Sequence, residues 1–213
     1  MGLVARAVRR RCLTGAAYTD RAMAATPARD DAIELRAAGA VVGERSFRDV
    51  LGRYASGVTV VTGAGERGPV GLTVQGFMSV SLDPPLVLVS AARSSLSWPV
   101  IERSGAYCVN LLAADQAALA EVMATRGADK FAGVRWRPSA VTGSPVLEGG
   151  LGFVDCTLER VDDGGDHLLA LGRVVDLAHT EGRDALLRYR GRYGAAAGPG
   201  PVDGSRAADR PGA

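Results

Sequence analysis

The spacing of apolar positions along the chain changes several times, and each change marks an element. From Ser46 onward, apolar residues recur at Phe47, Val50, Leu51 and Tyr54, which is the spacing of an amphipathic helix. Ser46 and Asp49 make an S-x-x-D capping pattern at its start, and Gly57 ends it. One face of this helix is therefore expected to pack on a core. The run Val58-Thr59-Val60-Val61-Thr62 follows, and its β-branched residues predict a strand. The pattern predicts further strands over Val70–Val74, Phe77–Ser81, Leu86–Ser90, Tyr107–Leu111, Phe153–Val161 and Leu168–Leu177. A helix is predicted over Asp115–Met123, and a short one near Asp184–Tyr189. Many short strands cut by Gly and Pro, with few helices, indicate a mainly β fold, an antiparallel barrel.

Several segments between these elements hold candidate chemistry. Gly63-Ala64-Gly65-Glu66-Arg67-Gly68 matches G-x-G-x-x-G letter for letter. A dinucleotide fold needs a helix to start there, with its N-terminus facing the pyrophosphate. Pro69-Val70-Gly71-Leu72-Thr73 reads as another strand, so the stretch is a hairpin loop. In the segment from Gly71 to Ser90, the polar side chains Thr73, Gln75, Ser79 and Ser81 alternate with apolar ones. That is first the pattern of a strand with a polar outer face, and it also supplies groups that can pair the edge of a flavin ring lying on an apolar surface. Gly76 allows a close backbone approach. Arg93, Ser94, Ser95 and Ser97 form a turn that suits phosphate oxygens. Lys130, beside Phe131, is the single lysine of the chain. Gly164-Gly165-Asp166-His167 reads as a hairpin turn whose Asp-His pair can also position a nicotinamide.

Composition narrows the classes. Apolar residues make up 47% of the 213 and charged ones 23%, as in ordinary globular proteins. No apolar stretch reaches the roughly 18 residues of a spanning helix, so no membrane role is expected. Residues 1–43 hold seven Arg against four acids, while residues 44–193 hold sixteen basic and seventeen acidic groups. The body is close to neutral and offers no face for nucleic acid. Residues 1–43 are expected to be a disordered Ala/Arg-rich extension, with Met23 as an alternative start, and residues 194–213 a disordered Gly/Pro/Ala-rich tail. The three cysteines, Cys12, Cys108 and Cys156, are widely spaced. They suit a reducing cytoplasm rather than disulfides or a metal centre.

These pieces in this order resemble the flavin reductase family of FMN-binding split-barrel proteins. The likeness runs from about Phe47 to Tyr193 and rests on Gly57 to Thr62, Ser81-Leu82-Asp83-Pro84-Pro85-Leu86-Val87, Cys108-Val109-Asn110-Leu111-Leu112, Asp129-Lys130-Phe131, Gly165-Asp166-His167 and Tyr189 to Tyr193. Within the family it is similar to actinobacterial reductases serving aromatic or steroid-ring hydroxylases. The resemblance implies a Greek-key-like split barrel over residues 44–193, a homodimer, FMN or FAD as the flavin, and NADH or NADPH as the reductant. It also implies a flavin-dependent monooxygenase as the partner supplied with reduced flavin. By the same resemblance Thr73, Val74, Gln75 and Gly76 line the flavin ring and Ser81 helps to hold it. Arg93, Ser94 and Ser95 bind the phosphate side, and Lys130 and Phe131 close over the flavin. His167 is the catalytic position on the nicotinamide side, and Arg190 and Tyr193 make the closing C-terminal contact. Where this chain has Gln75-Gly76, many relatives carry two small polar residues. The alternatives are a non-catalytic flavin- or haem-binding split-barrel protein and an oxidase of the pyridoxamine-phosphate type.

Overall fold

The computed structural model describes residues 41–127 and 129–196. The unit that begins at Val42 carries every element below. Most of both expected extensions, Met23 included, lies outside the described residues.

Seven strands form one antiparallel sheet. They are β2 (Thr59–Gly65), β3 (Gly68–Val74), β4 (Phe77–Leu82), β5 (Pro85–Ala92), β6 (Ala106–Leu111), β9 (Gly152–Gly164) and β10 (His167–His179), in the spatial order β3-β2-β6-β9-β10-β5-β4. The seven predicted strands correspond to these seven, with ends shifted by at most three residues. β3 and β4 are the two edges of the sheet, yet only Gln75 and Gly76 separate them in the chain. The sheet therefore curls back on itself. Gly76 O accepts the Ser90 N–H at 2.7 Å, and a Cβ at Gly76 would stand 2.6 Å from Ser90 Cβ. No ladder joins β3 to β4 or β5, so among the described residues the barrel stays split along that seam.

β2 shows why its sequence is almost continuously apolar. Val61 points into the barrel with Leu72, Val89, Trp98, Tyr107 and Val109, while Val60 points outward to Leu112, Ala120, Met123, Leu147 and Leu186. A strand covered on both faces reads as an apolar run rather than an alternation. Each such Val stabilises the fold by about 1.5–3 kcal/mol through burial. Covering the outer face is α3 (Ala117–Ala124), entered through a 3-10 turn over Ala114–Gln116. The small ladder of β7 (Trp136–Pro138) and β8 (Pro145–Leu147) docks beside it. Asn110 fixes that docking: its amide donates to Val60 O, Thr62 Oγ1 and Pro145 O and accepts from Leu147 N at 2.7 Å.

The predicted hairpin at Gly63–Gly68 is present, and two of its glycines have a packing role. A Cβ on Gly63 would lie 2.8 Å from Ile101 Cγ1, and one on Gly65 would lie 2.7 Å from Val100 Cγ1. The space belongs to α2 (Trp98–Ser104), a short helix that was not anticipated. Its signals were Pro99 in the first turn and Gly105 in the left-handed C-cap, φ +70°.

Two expectations are corrected. The segment near Asp184–Tyr189 is not a helix but strand β11 (Ala185–Tyr189), which sits between β1 (Ser56–Gly57) and β12 (Arg192–Ala196). Leu186 uses both backbone groups across strands, donating to Leu112 O and accepting from Val58 N, which holds it extended. Arg190 and Gly191, at φ 49° and 75°, make the two-residue turn that such a hairpin needs. The first helix, α1 (Glu44–Leu51), starts after Gly43 and ends at Gly52, not Gly57, and Ser46 lies inside it rather than at its cap. Among the described residues its apolar face meets no core, for Phe47, Val50 and Leu51, with Tyr54 just beyond it, are between 51% and 77% exposed. Cys108 and Cys156 are free and fully buried. No helix among the described residues is long and apolar enough to cross a membrane.

Candidate functional site

The seam between β3 and β5 opens into a cleft of about 470 Å³, within the range that ligand sites occupy. One wall is β3 from Pro69 to Thr73, and the opposite wall is Ser90 and Ala92 of β5 with the turn Ser94–Ser97. The segment after α3, from Met123 through Lys130 and Phe131, closes the third side, and His167 stands at the rim.

Hydrogen bonds hold these walls in place. Ser97 Oγ donates to Gly71 O at 2.7 Å, tying the turn to β3. Ser95 Oγ accepts the N–H groups of Ser97 and Trp98 at 3.2 Å, which starts α2. Thr73 Oγ1 donates to Ala120 O at 2.5 Å, tying β3 to α3. The Lys130 ammonium donates to Gly71 O at 2.9 Å and Met123 O at 2.7 Å. An ammonium has three donors, so one remains for the cleft. Partial burial pushes the Lys130 pKa below the ordinary lysine value. A Cβ at Gly71 would crowd Met123 Sδ at 3.1 Å and touch the Phe131 ring at 3.5 Å.

The rim is built from the β9–β10 hairpin. His167 Nδ1 and Asp166 Oδ1 are 2.7 Å apart, and this contact holds the Asp166 carboxyl below its usual pKa. Arg93 clamps the same hairpin: its guanidinium lies 2.7 Å from Asp163 and donates to Gly165 O, and its backbone N–H donates to Asp166 O. The Gly165 N–H, with Arg93 second, lowers the Asp163 pKa.

Of the residues singled out in the sequence, the structure brings Thr73, Ser94, Ser95, Lys130, Phe131 and His167 to one cleft. Val74 is buried in the barrel core, and Gln75 and Gly76 are exposed at the β3–β4 link. Ser81 lies half-buried on β4 opposite Leu86. Arg93 stands behind the rim, engaged with the hairpin. Arg190 and Tyr193 line a separate recess on the small sheet, where the Arg188 guanidinium lies 4.5 Å from the Tyr193 ring centre. The sequence reading did not single out Arg67, Gly71, Ser90 and Arg126, which also line the cleft. Arg67 was in plain view inside the glycine hairpin. Arg126 has no local signature, because only the packing of α3 on β3 brings it there.

The fold and cleft together define an antiparallel split barrel with a ligand-sized site rimmed by hydroxyls, cations and one histidine. Residues 51–197 match the family described as flavin reductase like domain, and the chain belongs to that family. The flavin-dependent monooxygenase reductase subunit HsaB of Rhodococcus jostii (strain RHA1) is 46% identical over 164 residues, covering 75% of this chain and 84% of that protein. FMN reductase (NADH) SmoA of Agrobacterium fabrum (strain C58 / ATCC 33970) is 41% identical over 150 residues, 70% of this chain and 84% of its own. Among solved structures, nitrilotriacetate monooxygenase component B from Mycobacterium thermoresistibile superposes with a TM-score of 0.69 at 45% identity, over 72% of this chain and 87% of that one. The NADH:FAD oxidoreductase SgcE6 of Streptomyces globisporus C-1027, solved with NAD and FAD fragments, gives 0.66 at 33% identity, over 72% and 93%.

Proposed function

We infer that this protein is a flavin reductase that oxidises a nicotinamide coenzyme, NADH in preference to NADPH, and passes the hydride to FMN or FAD. The observation that carries the reading is the β3–β5 cleft, which lies wholly inside the family match and has the size and lining that a flavin requires. Neutral hydroxyls and backbone groups along Pro69–Thr73 and Ser94–Ser97 suit the polar edge of the ring. The apolar surfaces of Leu72, Met123 and Phe131 suit its face. Flavin, when bound, supplies the hydride acceptor.

The chain's own part is placement. Thr73, Ser97 and Lys130 lock the walls by bonds to backbone carbonyls, so the site is formed before a ligand arrives. His167, oriented by Asp166, flanks the open side where a nicotinamide would stack. Holding two rings at roughly 3–3.5 Å needs no nucleophile and no general acid. We further assign the protein to a two-component system, in which reduced flavin leaves to serve a monooxygenase, as the names of HsaB and its relatives support. The unpartnered apolar face of α1 supports a homodimer.

The test is steady-state oxidation of NADH and NADPH by the purified chain, with FMN, FAD and riboflavin added in turn. Flavin-dependent NADH oxidation is expected. Tight flavin binding without any coenzyme oxidation would overturn the reading in favour of a non-catalytic flavin carrier.

A further inference from the structure

Arginines elsewhere on the body are already engaged. Arg93 is held by Asp163, Arg135 by Glu148, and Arg173 by Glu159. Arg67 and Arg126 differ, for among the described residues neither makes an ion pair or a hydrogen bond, although both line the cleft. They arrive from unrelated elements: Arg67 from the tip of the β2–β3 hairpin, Arg126 from the segment following α3. Lys130 adds a third cation with one donor uncommitted. The only acid on the lining is Asp129, whose carboxylate accepts the Phe131 N–H at 3.3 Å. Three cations against one acid leave the lining of the cleft positive, in a body that is otherwise near neutral. Ser94 and Ser95 come from the opposite wall and His167 from the rim.

We propose that Arg67 and Arg126, with Lys130, form a diphosphate-binding end of the cleft that holds the pyrophosphate bridge of a dinucleotide. The inference rests on the flavin reductase reading and deepens it. An exposed guanidinium with no protein partner is free to form bidentate bonds to phosphoryl oxygens, which are stronger than neutral hydrogen bonds. The pyrophosphate belongs to FAD or to the nicotinamide coenzyme, and the two sources are separable by experiment. Both arginines are exposed, so their replacement leaves the core untouched.

The test uses the full chain and the R67Q/R126Q double variant. Binding of ADP, FAD, FMN and riboflavin is measured by calorimetry or flavin fluorescence at low and moderate salt, and KM is measured for NADH and for reduced nicotinamide mononucleotide. ADP affinity is expected to fall by about tenfold or more in the variant and to lose most of its salt dependence. If FAD weakens by a similar factor while riboflavin changes less than about twofold, the bridge belongs to the flavin. If KM rises for NADH but not for the mononucleotide, it belongs to the coenzyme. Unchanged ADP, FAD and NADH parameters, or equal losses for FAD and riboflavin, would overturn the proposal. Because ADP binding requires no turnover, a chain that binds ADP through these arginines yet oxidises no NADH would uphold the anion site and sink the reductase reading instead.

Discussion

At the scale of single residues, the rim hairpin concentrates the chemistry that the fold leaves exposed. His167 takes its orientation from Asp166, and the turn carrying both is pinned by Arg93 through Asp163 and Gly165. His167→Ala should lower NADH turnover about tenfold, a transition-state loss of roughly 1–2 kcal/mol, while flavin affinity changes less. Stopped-flow reduction and flavin titration check the two halves separately; a collapse of flavin affinity would move His167 into the flavin site. The acid behaviour of the turn follows from its carboxylates. Asp163 and Asp166 have pKa values held below the usual 3.8. Their contribution is therefore complete above the unfolded value of about 4 and is lost as pH falls through the lower folded values. Protection of the Gly165 N–H against hydrogen exchange, corrected for intrinsic rate, should be constant from pH 7 to 5 and fall below about pH 4. In Asp163→Asn that acid step should disappear.

At the scale of elements, packing decides what pattern alone left open. The seven sheet strands were legible because β-branched residues and Gly/Pro breaks delimit them. β11 was not, because Leu186, Leu187 and Tyr189 form a run too short to separate period 2 from period 3.6. Its partners lie far away at Val58 and Leu112. The cleft was legible in part: Thr73, Ser94, Ser95, Lys130, Phe131 and His167 lie in segments whose residue types suggest chemistry, whereas Gly71 and Arg126 matter only through what packs on them. A further close contact lies inside the barrel. A Cβ at Gly172 of β10 would stand 2.1 Å from the Tyr107 hydroxyl, which is buried with only the Cys156 thiol as a weak partner. Gly172→Ala should therefore destabilise by about 1–3 kcal/mol through overpacking. Tyr107→Phe should change stability little, since the hydroxyl gives up only a weak bond to the Cys156 thiol. Adding Tyr107→Phe to Gly172→Ala should recover part of the loss. Chemical denaturation of the three variants checks the order.

At the scale of the molecule, apolar surface remains where one chain offers no cover. Phe47, Val50 and Leu51 along α1, and Tyr54 just after it, are exposed, as are Met78, Val80 and Leu82 on the edge strand β4. An edge strand with an apolar face is a pairing hazard unless something covers it. A second copy of the chain is the occupant that the homodimer reading supplies. Sedimentation velocity should find a dimer at micromolar concentration, and Phe47→Asp with Val50→Asp should shift it toward monomer while far-ultraviolet circular dichroism is unchanged. A monomeric wild-type chain would refute this.

The burial of the two cysteines also bears on how long such a protein survives its own chemistry. Reduced flavin that meets dioxygen yields hydrogen peroxide, and peroxide attacks thiolates far faster than thiols. Cys108 and Cys156 are fully buried, and burial, reinforced by the Asp155 carboxylate, pushes both thiols up, Cys156 to about 12. At pH 8 a group of that acidity is ionised to the order of one part in ten thousand. The strands that shape the site thus leave almost no oxidisable sulfur anion at either position, and these two cysteines should outlast many cycles of uncoupled turnover.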